Sequence, residues 1–422
     1  MLTRALAESA FLRAVIACDP TRLVRESLAD LSSIDPEAPR LGLAVGKAAL
    51  AMARGAGPVA RGLVIAPADD GRGVPEGWRV MVGAHPVPDE RSLAAGHAAL
   101  ALFESATAAH VVLALISGGA SALMEVPCVP FDEYRSVTSA VMAAGYPIHV
   151  LNTVRTAMSR IKGGGLVASC AARVVTFAIS DVVGDSPFVI GSAPTVPPPP
   201  TPPLDERRLR AMSLSPLDRD YVTAEGPAAQ AAVIVRALGI DAPGLRELAA
   251  MPYRAPTVRI GDIVRVIGPM IGFALAAAAG IPGARVSYAP LVHDVEACAT
   301  RLLAEEGIVV ALGEPTLVVP ADHGEGGRAQ QLALILARAL RGSARAALVA
   351  GSDGVDGPAP VGRQAPAGAF VDGTTWDAIV AAGIDPERAL VRRDAGTALA
   401  AVGALFVPGP TGVNHADLVL IG

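Results

Sequence analysis

Short apolar segments alternate with helical patterns along the first half of the chain. The apolar segments lie at residues 41–45, 62–66, 79–83, 111–116 and 174–179. Helical patterns lie between them, as at residues 92–105 and 132–144. Strands that are apolar throughout need cover on both faces, as in parallel sheets whose strands are connected by helices. The alternation therefore predicts an α/β fold with a mostly parallel sheet covered by helices.

The second half of the chain repeats this alternation after a proline-rich segment. Residues 194–203 are mostly proline, which makes the segment stiff and extended, as in a domain linker or a strap across the surface. A helical pattern covers residues 330–341, and strand-like segments lie at residues 258–266, 284–288, 307–311, 316–319, 346–350 and 404–408. We therefore predict two α/β domains, one at residues 1–230 and one at residues 231–422.

Composition and charge restrict the kinds of partner. The 422-residue chain is 52% hydrophobic, which is ample for large cores, and its net charge of -5 comes without the basic stripe of nucleic-acid-binding proteins. A long charge-free run, residues 266–284, is broken by glycine and proline, and the charged N-terminus does not resemble a signal peptide. The four cysteines lie far apart, as in a reduced protein. We expect a cytoplasmic protein with a small-molecule substrate and no nucleic-acid or membrane partner. The sequence leaves the oligomeric state open, a homodimer included.

Lysine is almost absent from the chain. Of 35 basic residues only Lys47 and Lys162 are lysines, and each directly adjoins glycine. Lysine supplies a compact point charge, which suits an ammonium group that must follow a moving phosphoryl group. The alternative is an arginine-biased genome that left two lysines by accident. Lys47 stands between the strand at residues 41–45 and an alanine-rich helix start, and ligands of parallel sheets bind beyond such strand ends.

Two other strand ends carry polar residues that suit an anion or a metal ion. The first is the sequence Ser117-Gly118-Gly119-Ala120-Ser121, which follows residues 111–116. Glycines let the backbone approach closely and N–H groups at a helix start attract phosphate, although many Gly-Gly turns are only tight connections. The second contains Asp181 and Asp185, after residues 174–179. These acids could hold magnesium or accept a substrate proton, or else cap a helix and form a turn.

Residues 151–162 form the most informative helical pattern. At about 100° per residue, one sector holds Asn152, Arg155, Ser159 and Lys162, and the adjacent sector holds Leu151, Val154, Met158 and Ile161. The three glycines after Lys162 end the helix and clear space around its ammonium group. A polar stripe with two positive charges favours an anion-facing surface over a solvated one, which would usually mix glutamate and lysine.

The second half of the chain has polar turns of its own. Arg328 follows glycines at a helix start, where it is placed to clamp a carboxylate or a phosphate. Glu314 precedes a strand-like segment, and Asp353 and Asp356 share a glycine-rich loop after another strand. No glutamate closes that loop at the distance an EF-hand requires, so we exclude an EF-hand. Asn414 lies in a further polar turn.

Taken in order, these motifs resemble those of the class II glycerate 2-kinases, which have a C-terminal MOFRL domain. The matching segments are Gly46-Lys47-Ala48-Ala49, His85-Pro86-Val87-Pro88-Asp89-Glu90 and residues 117–121, 152–165, 180–185, 313–316, 326–328, 351–357 and 411–414. The resemblance implies a Rossmann-like N-terminal domain, a MOFRL-type α/β C-terminal domain and an active site in the cleft between them. It also implies transfer of the γ-phosphoryl group of ATP, with Mg²⁺, to the 2-hydroxyl group of D-glycerate. Some members of the family carry the name hydroxypyruvate reductase.

The resemblance and the chemistry imply roles for individual residues. Phosphoryl transfer depends on positioning and charge neutralisation, so Lys47 and Arg328 are expected to be catalytic, Lys47 at a phosphate and Arg328 at the glycerate carboxylate or the developing charge. Asp181 or Asp185 would orient or deprotonate the hydroxyl group. Phosphate or substrate binding is implied for Ser117, Gly118, Gly119, Ser121, Asn152, Arg155, Lys162 and Asn414. The candidates for magnesium or nucleotide binding are Asp353, Asp356 and Glu314.

The sequence also departs from the pattern of the family. Ala329 and Gln331 stand where asparagine and glutamate are usual, Val413 replaces a threonine, and Ala416 replaces a common second asparagine. Because these changes remove polar groups, a non-catalytic relative that binds a nucleotide or metabolite is one alternative. An NAD(P)H-dependent hydroxypyruvate reductase is another. It is disfavoured because no strand is followed by Gly-x-Gly-x-x-Gly with an acid about 20 residues later.

Overall fold

The structure, a computed structural model, describes residues 2–146, 148–198, 215–253, 259–357 and 364–422. These residues form two compact units. The parallel-sheet unit comprises Val24–Ala178 and Ser186–Val266, and the mixed-sheet unit comprises Met1–Leu23, Ile179–Asp185 and Ile267–Gly422. The units differ in their bounds from the predicted domains 1–230 and 231–422. The N-terminal helix and residues 179–185 belong to the mixed-sheet unit, and residues 231–266 belong to the parallel-sheet unit. Residues 199–203 of the proline-rich segment lie outside the described residues.

A six-stranded sheet organises the parallel-sheet unit. Its strands are β1 (Arg40–Val45), β2 (Arg61–Ala66), β3 (Trp78–Val82), β4 (Val111–Ile116), β5 (Arg173–Ile179) and β6 (Ile263–Gly268). They lie in the order β3-β2-β1-β4-β5-β6, and β1 to β5 pair in parallel. Every residue of β4 is buried, as expected for a central strand covered on both faces. The predicted mostly parallel sheet is confirmed.

Helices flank both sheets. Those that the structure describes are α1 (Arg4–Ala17), α2 (Pro20–Ala29), α3 (Ala49–Ala56), α4 (Glu90–Glu104), α5 (Ala120–Leu123), α6 (Phe131–Ala143), α7 (Ile148–Ala157), α8 (Pro216–Thr223), α9 (Gly226–Ala237), α10 (Pro243–Ala250), α11 (Met270–Ala278), α12 (Val295–Leu303), α13 (Arg328–Leu340), α14 (Thr375–Ala381), α15 (Pro386–Arg392) and α16 (Ala395–Ala401). Residues of α6, α7, α9 and α10 share a separate small core. Within the described ranges, no helix combines the length and the apolar character needed to cross a membrane.

A second sheet of six strands organises the mixed-sheet unit. Its strands are β7 (Arg285–Val286), β8 (Val309–Gly313), β9 (Ala346–Gly351), β10 (Gly368–Asp372), β11 (Leu405–Phe406) and β12 (Asp417–Ile421), in the order β11-β10-β9-β12-β8-β7. β12 runs antiparallel to both of its neighbours, β8 and β9. Successive β12 side chains point to opposite faces, so Leu418 packs in the core that contains Phe11 of α1, and Val419 packs in the core that contains Leu332 of α13.

In the second half of the chain, one predicted strand is wrong and two observed strands were not predicted. The prediction of a strand at residues 316–319 is wrong, because Thr316 makes only an isolated bridge and Val318 is 83% exposed. Pro315 and Pro320 flank this segment and have no N–H group to donate to a neighbouring strand. β10 and β12 were not predicted, although the sequence of β12 is a continuous apolar run after Asp417.

Two glycines make room for one aromatic ring on the parallel sheet. The indole of Trp78 in β3 lies where a Cβ atom at Gly62 of β2, or at Gly42 of β1, would be. Its Nε1–H group donates to the carbonyl oxygen of Gly57 at 2.8 Å, which fixes the ring in place. The ring therefore covers two strands at positions where any side chain would overlap it.

We expect Gly42→Ala to lower the free energy of unfolding by about 1–3 kcal/mol, because the added methyl group must displace the buried Trp78 ring. Urea denaturation measures this change. Gly272→Ala in α11 is the control, since its Cβ would meet Pro269 at an ordinary 3.6 Å. The control should be neutral or stabilising by up to about 1 kcal/mol. Equal losses in both variants would show that the ring does not impose the constraint.

Candidate active site

Lys47 lies in the turn that joins β1 to α3, and that turn is held by the end of β4. Gly46 has a φ of 125°, and a Cβ there would overlap Ser117. The N–H group of Lys47 donates to the carbonyl oxygen of Gly118 at 2.9 Å, and that of Ala48 donates to the Ser117 hydroxyl at 3.1 Å. The Lys47 side chain is exposed. The structure thus brings Lys47 and the predicted glycine-rich loop together at the carboxyl ends of neighbouring strands.

Residues 117–121, which we call the Ser117–Ser121 loop, differ in what they offer a ligand. Ser117 is fully buried, and its hydroxyl group belongs to the Lys47 turn, so the structure gives it a structural role in place of the predicted phosphate contact. Gly119 has a φ of 85°, and a Cβ there would lie 3.2 Å from His85 and 3.5 Å from Lys47. The part of the loop beside Lys47 is therefore backbone, which allows close approach of a phosphate group.

The prediction that Lys162 faces an open anion site is wrong. Its side chain is only 2% exposed and forms an ion pair with the fully buried Glu125. The ammonium group also donates to the carbonyl oxygen of Ser121 at 2.9 Å. Burial lowers the pKa of Lys162, and Glu125 opposes that shift. The glycines that follow Lys162 do not clear space around its charge, because Glu125 already occupies that space.

The predicted polar stripe on residues 151–162 is also interrupted. α7 ends at Ala157, and Ser159 lies beyond it, where its hydroxyl group donates to Glu125 at 2.5 Å. Arg155 remains on α7 and donates to the sulfur of Met142 at 3.5 Å. Asn152 is half-buried on the same helix. The residues of the adjacent apolar sector, Leu151, Val154, Met158 and Ile161, are all buried.

The two acids after β5 have different surroundings in the mixed-sheet unit. Asp185 accepts a hydrogen bond of 2.8 Å from the N–H group of Met270, the first residue of α11. It therefore caps a helix, which was the structural alternative for this residue. Asp181 is half-buried and accepts a hydrogen bond of 3.1 Å from the side-chain amide of Asn414. The structure brings these two predicted site residues together.

Arg328, at the first position of α13, is held between two acids. Its guanidinium group pairs with Asp417 at 2.6 Å and with Glu314 at 2.9 Å. Burial works against the charge, but Asp417 and Glu314 outweigh it and raise the pKa of Arg328. Burial also raises the pKa of Asp417 to about 6, against the attraction of Arg328. The pair is therefore ionised at neutral pH.

The three candidate metal ligands are not gathered at one point. Both oxygens of Asp356 accept from backbone N–H groups of α13, at 3.0 Å from Ala329 and 2.8 Å from Gln330. Glu314 pairs with Arg328, and Asp353 lies half-buried in the loop after β9. The described part of the chain contains no cluster of three or more His, Cys, Asp or Glu side chains suited to a metal ion. Asp356 and Glu314 are therefore engaged by protein groups.

The departures from the family pattern lie in the core of the mixed-sheet unit. The side chains at these positions are almost fully buried, and they belong to Ala329, Gln331, Val413 and Ala416. Gln331 donates to the carbonyl oxygen of Leu390 at 3.0 Å. Ala416 has a φ of 71°, a left-handed conformation that asparagine adopts more readily than alanine. The backbone at this position therefore suits asparagine better than the alanine present.

Three residues of these sites were missed by the sequence reasoning. Glu125 neutralises Lys162 and Asp417 neutralises Arg328, two residues that were predicted to bind a ligand. His415 follows the predicted site residue Asn414. Glu125 had a visible signal, a single acid within an apolar segment, and Asp417 begins an apolar run. His415 is fully buried, stacks on Phe273 at 5.7 Å, and finds no hydrogen-bond partner for either ring nitrogen among the described residues.

Known families and proteins match the chain along most of its length. Residues 6–216 match the model of a domain of unknown function, DUF4147, and residues 307–417 match the MOFRL family. A D-glycerate 2-kinase from Thermotoga maritima is 31% identical over 424 residues, 97% of this chain and 95% of that protein. A protein of Agrobacterium vitis with a provisional hydroxypyruvate reductase name is 33% identical, over 83% of this chain and 80% of its own length.

The fold agrees with these matches. The crystal structure of a glycerate kinase from Thermotoga maritima superposes with a TM-score of 0.80 and 28% identity, and covers 99% of this chain and 98% of that one. Fold and sequence together define a kinase of the glycerate-phosphorylating class. The chain belongs to the class II glycerate kinase family, with a DUF4147 region followed by a MOFRL region. The family and the glycerate kinase enzyme that the ordered motifs predict are confirmed.

The surroundings of His415 predict a pH dependence of stability. Burial lowers the pKa of His415 from 6.5 to about 4. Between these values the unfolded chain binds a proton that the folded chain does not, so the free energy of unfolding falls as the pH decreases. From pH 7 to pH 5 this residue should account for a loss of about 2 kcal/mol. His415→Leu should remove that part of the loss in urea denaturation at the two pH values. An unchanged pH dependence in the variant would contradict the assignment.

Proposed function

We propose that this protein transfers the γ-phosphoryl group of ATP, as its magnesium complex, to the 2-hydroxyl group of D-glycerate, giving 2-phosphoglycerate. The observation that carries the proposal is the match to a D-glycerate 2-kinase along 97% of the chain. It is supported by the position of Lys47, an exposed cation at the carboxyl ends of two parallel strands. Ligands of parallel α/β sheets bind at this edge.

Lys47 and the backbone of Gly118 and Gly119 are assigned to the phosphate groups. Phosphoryl transfer places charge on the oxygens of the transferred group, and positioned cations and N–H groups stabilise that charge. The main chain of Lys47 is fixed by its hydrogen bond to Gly118, while its four-carbon side chain is exposed. A lysine so anchored can follow the transferred group with its ammonium while its backbone stays in place.

The mixed-sheet unit supplies groups that suit the acceptor. Asp181 is assigned to orient or deprotonate the hydroxyl group, because Asn414 holds its carboxylate, whereas Asp185 caps α11. Arg328 is assigned to the glycerate carboxylate or to the developing charge, and its two acidic partners hold the guanidinium group in one orientation. Magnesium would enter with ATP. A nucleotide-bound magnesium ion needs only one or two protein carboxylates, and we assign Asp353 to this contact.

The proposed cellular location and the size of the substrate are those expected from the sequence. We propose a cytoplasmic enzyme that acts on a small molecule. All four cysteines are free thiols, as expected for a reducing compartment. A homodimer and an active site in the cleft between the two predicted domains stay predictions.

A paired assay separates the candidate reactions. One arm measures ADP release by purified protein with ATP, magnesium and D-glycerate, and the other measures NADH oxidation with hydroxypyruvate. We expect ADP release only when D-glycerate is present, and phosphorus NMR should show 2-phosphoglycerate as the product. NADH oxidation without ADP release would favour the reductase suggested by the name of the Agrobacterium relative. Silence in both arms, with binding of ATP or glycerate, would favour a non-catalytic relative.

Replacing Lys47 tests the phosphate assignment. Lys47→Ala should lower kcat by about 100-fold or more, since a preorganised charge at the transition state is lost. The free energy of unfolding should change by less than about 1 kcal/mol, because the side chain is exposed. Arg25→Ala, which removes an exposed cation from α2, is the matched control and should keep full activity. If Lys47→Ala turned over at the wild-type rate, its assignment would fail.

A further inference from the structure

Both lysines of the chain contact the Ser117–Ser121 loop. At one end, the N–H group of Lys47 donates to the carbonyl oxygen of Gly118, and its Cγ lies beside Gly119. At the other end, the ammonium group of Lys162 donates to the carbonyl oxygen of Ser121 at 2.9 Å. One lysine thus stands exposed on the loop, and the other is buried beneath its far end.

The buried lysine is held by a fully satisfied acid. Glu125, with a side chain that is 0% exposed, pairs with Lys162 through Oε2 and accepts from the Ser159 hydroxyl and the Val126 N–H group through Oε1. Taking two charges out of water costs free energy that their attraction barely offsets, so such a pair is weak evidence for stability. The pair holds the ammonium group where it also donates to the carbonyl oxygen of Ser121.

A second hydrogen bond holds Ser121 from the segment around Ser192. The Ser192 hydroxyl donates to the Ser121 hydroxyl at 2.8 Å. Ser192 and its neighbours Gly191 and Ala193 all have positive φ angles, of 62°, 59° and 50°. Such a conformation persists only where the surroundings enforce it. Here the N–H groups of Gly163 and Gly164 donate to the carbonyl oxygens of Ser192 and Ala193. The residues directly after Lys162 therefore hold the segment that also contacts Ser121.

We propose that Lys162 and Glu125 are positioning residues for phosphoryl transfer, which act through Ser121 to place the Gly118–Gly119 backbone beside Lys47. The inference rests on the proposed function and adds to it a role for a buried ion pair that does not touch the ligand. The beginning of the loop is fixed by the N–H group of Ser117, which donates to Val45 at 2.9 Å. The N–H group of Lys47 holds the carbonyl oxygen of Gly118, and the contacts at Ser121 hold the far end of the loop on the other side of the two adjacent glycines.

Lysine suits this position better than arginine would. A compact ammonium group reaches a carboxylate and a carbonyl oxygen from one point, whereas the planar guanidinium group needs more room. In an active site, a displacement of about 1 Å reduces turnover by about 100-fold. A loop released at Ser121 should therefore reduce kcat more than it weakens substrate binding, since positioning matters most in the transition state.

The double variant Glu125→Gln/Lys162→Met tests the inference, because it removes both charges together and leaves neither one buried alone. We expect kcat for D-glycerate-dependent ADP release to fall at least about 10-fold, with both KM values changed less than about threefold. Hydrogen exchange should become faster in peptides that cover residues 44–51 and 115–124. Val137→Ala, a buried truncation in α6, is the control for a general loss of stability and should leave exchange in both peptides unchanged.

A second variant keeps the test decisive if the double variant does not fold. Ser192→Gly removes the hydroxymethyl side chain and with it the hydrogen bond to Ser121, and glycine favours the observed φ, so the fold should be retained. It should also speed exchange in the peptide of residues 115–124. Wild-type exchange and wild-type kcat in the folded double variant would overturn the inference, as would unchanged exchange in Ser192→Gly if the double variant is unfolded. If the wild-type protein lacks kinase activity, the proposed function fails, and the exchange measurements still decide whether the pair positions the loop.

Discussion

The parallel-sheet unit depends on the hydrogen bonds that join the end of β1 to the end of β4. The N–H group of Ser117 donates to Val45, its hydroxyl group accepts from Ala48, and Gly118 accepts from Lys47. These bonds involve mainly backbone groups, so they fix the turn whatever side chain follows Gly46. Since β1 and β4 are neighbours near the middle of the sheet, the exposed lysine is placed at its carboxyl edge. The site is thus a product of strand order and backbone geometry before any side chain acts.

Features that arise from local sequence were predictable for this reason. The apolar runs of β1 and β4 determine a covered parallel sheet, and the glycines after each run mark the turns. The ordered polar motifs were enough to identify the family, which the matches along the chain confirm. Asp181 and Asn414 were each singled out as site residues, and their side chains are in contact in the structure.

The contacts that the sequence did not reveal join charged residues to partners far away in the chain. Lys162 and Glu125 are 37 residues apart, Arg328 and Asp417 are 89 apart, and Asp185 lies 85 residues before the helix end that it caps. A sequence shows that a lysine adjoins glycine, but it does not show whether a buried acid already neutralises it. The helix α7 ends earlier than predicted for the same reason. Ser159 lies beyond the helix end and donates a hydrogen bond to Glu125. Helical periodicity alone places Ser159 on the helix, and only the tertiary contact removes it.

The mixed-sheet unit draws on segments that are widely separated along the chain. Phe11 of α1 packs against Phe273 of α11 and Phe406 of β11, with ring centroids 5.7 Å and 5.1 Å apart. Arg13 of α1 donates to the carbonyl oxygen of Gly280, 267 residues later. Closing so long a loop is slow, whereas the first five strands of the parallel sheet come from one continuous stretch of chain. We therefore expect that, during synthesis, the apolar face of α1 stays exposed until α11 has left the ribosome. In this interval the new chain would be most exposed to aggregation and most in need of a chaperone.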